Sequence, residues 1–139
     1  MKSLLNKLGV ILMGLAIFSY SEVWGSDWME FAKNERTHCY YDTKSISQPS
    51  KNIIKVGVKF EYTNIGVTEF VKTFGDKFNK LDNSKSLYEV NCVEKKYRIL
   101  ELVFYSKDGN VLNTISYPSE WKYNIRESVS DALDKAVCK

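Results

Sequence analysis

One histidine, two prolines and three cysteines are present in 139 residues, and each scarcity closes off a class of chemistry. His38 with Cys39 falls short of the three or four protein ligands that tetrahedral zinc takes. The same pair makes a poor nucleophile and base, because neighbours on a strand project to opposite faces. There is no C-x-x-C and no glycine-rich phosphate loop. Carboxylates are plentiful, yet Asp42, Glu61, Glu89 and Glu101 show no spacing that suggests a working acid–base pair. The expectation is a protein without a catalytic centre, a metal site or a cofactor.

Charge of one sign is also scarce. Twenty Lys and Arg stand against seventeen Asp and Glu, a formal net charge of +3. So small and mixed a charge does not predict a nucleic-acid partner. The one dense basic spot is Lys95-Lys96-Tyr97-Arg98. It reads as a solvated strand end, or, through Lys95, Lys96 and Arg98, as a contact for an acidic partner.

Long apolar runs are missing too. The longest, Leu8 to Phe18, has eleven residues, well short of the roughly 20 that span a membrane. Lys2 and Lys7 precede it, and a polar stretch with small residues follows, ending V-W-G before Ser26. This is the pattern of a signal peptide over residues 1–25, leaving residues 26–139 as one exported domain with no membrane span. No cysteine lies near the end of the apolar run, so a lipoprotein is not expected. The expected location is the periplasm, the cell surface or the medium.

What is present is periodicity. In KNIIKVGVKFEYT, residues 51–63, Ile54, Val56, Val58, Phe60 and Tyr62 alternate with Lys55, Gly57, Lys59 and Glu61. A period of two predicts a strand with one packed and one wet face. Residues 28–32 and 37–42 predict two shorter strands before it, and DTKSISQPSKN a loop. Val67, Phe70, Val71, Phe74, Phe78 and Leu81 then follow helical spacing, predicting a helix over 67–81 with Gly75 inside it. The bland reading of its phenylalanine stripe is packing on the sheet. The sharper one is a partly exposed docking surface.

Strands are predicted at 87–93, 96–106 and 110–117, the last two joined by a turn at Lys107-Asp108-Gly109. The middle one is apolar on both sides, with Ile99 and Val103 on one and Leu100, Leu102 and Phe104 on the other. Its Glu101 is expected either to pair with a lysine or to turn to solvent. Val129, Ala132, Leu133, Ala136 and Val137 predict a closing helix, capped at Ser128 with Asp131 completing a variant capping box. The fold class is therefore α+β: an antiparallel sheet of about six strands, a C-terminal helix packed across it and an inserted helix at 67–81.

Three cysteines in an exported chain allow one internal bridge and leave one over. Joining Cys92 to Cys138 would staple the last helix to the sheet, with Cys39 left as a buried free thiol. Cys39 stands as the alternative partner, and a bridge between two chains through Cys39 is a third option.

In order, the chain presents Trp28, YYDTKSI, VGVKFEY, LYEVNC, YRILELVFYSKDGNVL, the tryptophan of SEWKYNI and a closing AVC. This pattern resembles the surface-adhesin protein E family of Gram-negative bacteria, from Trp28 to Cys138. The resemblance implies an antiparallel sheet crossed by a C-terminal helix, with Cys92 and Cys138 matching the family's bridge. It also implies a role in cell adhesion, as a binding protein that meets host extracellular-matrix proteins through a sheet face or an edge strand. A second copy of the chain is another expected partner. The alternative is a periplasmic structural or accessory domain with no host ligand. Two features depart from the family pattern: Arg126-Glu127-Ser128 replaces a Pro-x-Ser helix entry, and the lipid-anchoring cysteine is missing.

Overall fold

The computed structural model describes residues 26–116 and 118–139, so the expected signal peptide, and Tyr117 at the end of an expected strand, lie outside it. Three long antiparallel strands form the centre. They are β4 (Ile53–Tyr62), β5 (Leu81–Asn91) and β6 (Lys96–Ser106). On one side β2 (Thr37–Asp42) and β3 (Ser47–Ser50) pair with successive stretches of β4, and β1 (Trp28–Lys33) lies outside β2. On the other side β7 (Val111–Ile115) and β8 (Lys122–Tyr123) pair with successive stretches of β6. The main order is β1-β2-β4-β5-β6-β7.

The predicted loop DTKSISQPSKN therefore contains a short strand, β3, and a single 3-10 turn at Thr43–Ser45. That turn bridges the break between β2 and β3. Ser45 Oγ accepts the Gly57 N–H at 2.8 Å, so a hydroxyl supplies the acceptor where the ladder is interrupted. Asp42, almost fully buried, holds the turn by accepting from the N–H groups of Asp27 and Lys44.

Alternation along β4 carries Val56, Val58 and Phe60 onto the core face, as their period of two requires. β6 breaks the expected alternation. Tyr88 is opposite Ile99, but Leu87 is opposite Glu101, so Leu100 is an extra residue in a bulge. The bulge resets the parity: Ile99 and Leu102 share the helix-covered face, and Val103 points to the opposite one.

Both helices cover the same face. α1 (Asn64–Phe74) is capped by Thr63, whose hydroxyl accepts from the Gly66 N–H. It ends earlier than its apolar spacing predicts. Gly75 takes φ 108° and its N–H returns to Val71 O at 2.8 Å, a left-handed stop that favours glycine. Phe78 then sits on a 3-10 turn, Asp76–Phe78, and Leu81 opens β5. The apolar stripe nevertheless converges, because Phe70 packs against Tyr62, Phe78 and Phe104 at ring separations of 5.7, 4.9 and 5.3 Å. α2 (Val129–Val137) lays Leu133, Ala136 and Val137 on a second cluster built from Tyr41, Val56, Val58, Tyr88 and Val90. Ser84 and Ser86 are buried on the same face of β5, and Ser84 shares a 3.1 Å hydrogen bond with the Tyr62 hydroxyl.

Candidate binding surface

The basic stretch after β5 lies where the chain returns to begin α2. Lys95 occupies a tight turn with φ 58°, and its ammonium is 3.0 Å from Asp134 on α2. Asp134 is 3 % exposed and also accepts from Asn124 Nδ2 at 3.2 Å. Lys96 pairs with Glu94 at 3.2 Å and lies 4.9 Å over the Tyr123 ring. The Glu94 hydrogen bond, followed by the influence of Tyr123, raises the Lys96 pKa. Arg98 binds Glu89 at 2.9 Å and stacks on Trp121 at 4.8 Å.

Backbone bonds run alongside these contacts. Asn124 N donates to Lys95 O at 2.9 Å, Ser119 N to Ile99 O at 2.8 Å, and Ile99 N to Ser119 Oγ at 2.9 Å. Residues 95–99 thus clamp residues 119–124 along the edge of β6, and that clamp delivers the chain to α2. Each of the three expected contact cations has a carboxylate partner within the chain. Sequence spacing offered no sign of Asp134, which lies 39 positions from Lys95.

The end of α2 is held by sulfur. Cys92 and Cys138 are joined with Cα atoms 5.6 Å apart, and Cys138 N donates to Asp134 O at 2.8 Å. Cys39 is fully buried in β2 as a free thiol 3.7 Å from Thr37 Oγ1, and burial pushes its pKa up. His38 faces the other way and pairs with Glu30 across to β1 at 3.0 Å. Among the described residues no group of three or more His, Cys, Asp and Glu side chains is arranged to hold a metal ion.

The sheet has two outer strands of different character. β1 carries Glu30 and Lys33, and a bulge at Phe31 interrupts its register with β2. β7 has a bulge of its own at Leu112, so charge, which discourages the addition of a further strand, is what separates the two edges. β7 reads VLNTI, without charge, proline or glycine. Val111 and Ile115 are 46 % and 38 % exposed, and no described strand pairs with its outer edge.

The described residues thus form an antiparallel sheet with a helix stapled across one face and one uncharged outer strand. The chain belongs to the surface-adhesin protein E family, whose model matches residues 28–139. No curated protein and no solved structure matches it. Family membership implies a surface-adhesin role and protein binding. Among the described residues no helix is long and apolar enough to cross a membrane.

Proposed function

We propose that this chain is an exported, non-catalytic binding protein that engages a protein partner by accepting its strand along the outer edge of β7. The observation that carries this reading is the contrast between the two edges. β1 carries charge, whereas β7 is uncharged and exposes two aliphatic side chains; each strand holds one bulge, at Phe31 and at Leu112. Strand addition takes its affinity from main-chain hydrogen bonds and its selectivity from alternate side chains. Val111 and Ile115 are the apolar contacts on offer. Host extracellular-matrix proteins are the partner class that family membership favours.

The cations Lys95, Lys96 and Arg98 contribute little to this contact, because each is engaged with an acid of its own chain. Attachment is therefore expected to hold as ionic strength rises, since long-range attraction between exposed charges is what salt screens.

The test is binding of purified extracellular-matrix proteins to the wild type and to a Val111→Lys, Ile115→Lys double variant. Lysines on an edge strand oppose strand addition without removing its existing ladder. The double variant is expected to lose attachment, while Lys33→Glu on β1 leaves it unchanged. Equal attachment by the double variant and the wild type contradicts the proposal. A second copy of the chain is the competing occupant of the same edge, and concentration-dependent self-association abolished by the same lysines is its signature.

A further inference from the structure

The Cys92–Cys138 bond is not sealed inside the core. Both cysteines are part-exposed, whereas Cys39 is fully buried. Both also line a pocket of about 300 Å³ between the end of α2 and the start of β4, where Val137 and Ile54 supply apolar walls. That volume lies at the lower end of small-molecule sites, which measure about 300–1,000 Å³.

The lining is one-sided in charge. Lys51, Lys95 and Lys139 contribute to it, and no acidic side chain does. Lys95 is engaged with Asp134. Lys51 and Lys139 are exposed and form no ion pair among the described residues. Cations beside a cysteine favour its thiolate, and a thiolate of lower pKa leaves faster in exchange. An open disulfide among ammonium groups is therefore a reactive one, and it draws anions.

Its two sulfurs are not equivalent. Cys138 caps the C-terminus of α2, its N–H returning to Asp134 O at 2.8 Å. The negative end of the helix dipole opposes a thiolate there. Cys92 follows the end of β5, outside the helix, with its N–H on Asn52 O at 2.9 Å. Charge on the departing sulfur is better placed on Cys92.

We propose that this pocket is a thiol–disulfide exchange site: it receives a small thiol carrying a carboxylate, which attacks Cys138 Sγ and unlocks the last turn of α2. The incoming thiolate bonds to Cys138 Sγ as the Cys92–Cys138 bond breaks, and the electron pair leaves on Cys92. A second thiolate cleaves the mixed disulfide. Two small thiols are thereby oxidised to their own disulfide, and the two cysteines are reduced and take up the two protons released. Val137 and the Lys95–Asp134 pair alone then hold the last turn of α2. No residue of β7 takes part, so this proposal and the strand-addition reading stand or fall separately.

The probes are 3-mercaptopropionate and 2-mercaptoethanol, compared per thiolate at low ionic strength on the folded, oxidised protein. Initial rates of bond opening are read by acid quenching and mass mapping. The carboxylate thiol is expected to react about fivefold faster. That advantage is expected to vanish in 1 M salt and in a Lys51→Gln, Lys139→Gln double variant. The first adduct is expected on Cys138. In the reduced protein, amides 135–138 are expected to exchange faster while 84–90 stay protected. Equal rates for the two thiols overturn the proposal, as does an advantage undiminished in the double variant or a first adduct on Cys92. Opening at a rate independent of thiol concentration also overturns it, because the bond would then be reached only through unfolding. Protection lost across the whole sheet on reduction overturns the local release of α2, while the rates, read on oxidised protein, still decide the exchange site.

Discussion

The ammonium of Lys95 and the carboxylate of Asp134 meet at 3.0 Å, one exposed and the other almost completely buried. The asymmetry makes the two halves of the pair unequal. Lys95→Ala strands a buried carboxylate with only Asn124 to answer it, a loss of about 3 kcal/mol. Asp134→Asn leaves a lysine that returns to water, and is expected to cost about 1 kcal/mol. Urea denaturation of both variants checks the order, and a larger loss for Asp134→Asn contradicts it.

The Cys92–Cys138 bond spans a sequence separation of 46. In the chain-entropy estimate a bridge of this span stabilises by about 4 kcal/mol. Cys138→Ala is expected to lower the unfolding midpoint accordingly. Mass mapping without reductant is expected to recover the 92–138 linked peptide. A thiol reagent should label Cys39 only after unfolding, because its side chain is fully buried.

Gly66 sits where the first turn of α1 crosses the β1–β2 turn. A Cβ there would collide with the carbonyl oxygen of Arg36, which also accepts from Thr63 N. Backbone is what would have to move, so Gly66→Ala is expected to destabilise by about 1–3 kcal/mol despite alanine's better helix propensity. A stability equal to or above the wild type, read by thermal unfolding, would refute this packing.

Glu101 makes no ion pair among the described residues, and partial burial raises its pKa above the ordinary carboxylate value. The folded chain therefore holds that proton more tightly than the unfolded chain does. Its negative charge costs stability above the raised pKa, and the cost is relieved as pH falls through the window down to the unfolded value. Glu101→Gln is expected to raise the melting temperature at pH 7 and to lose that advantage near about pH 3, where the unfolded carboxyl is protonated as well. A gain that persists undiminished at low pH excludes titration as its source.

β4 was legible because five alternating apolar residues leave one reading of its faces. β6 was not, because Leu100 enters as a bulge and a single extra residue exchanges the faces of everything after it. α1 was legible in kind but not in length. Phe78 and Leu81 continue the helical spacing yet reach the same core from a 3-10 turn and a strand, after Gly75 has ended the helix. β3 carries no apolar residue, so nothing in SQPS announced a strand. The basic stretch was visible, but its partners Asp134, Glu89 and Trp121 come from three different parts of the chain.

The central claim is that the open edge of β7 receives the partner. Amide hydrogen exchange of the chain alone and in complex with an extracellular-matrix protein that binds it tests this most directly. The account predicts new protection concentrated in residues 111–115, with residues 28–33 and 95–98 unchanged. Protection confined to β1 or to the Lys95–Arg98 stretch, with β7 exchanging as freely as before, would contradict it.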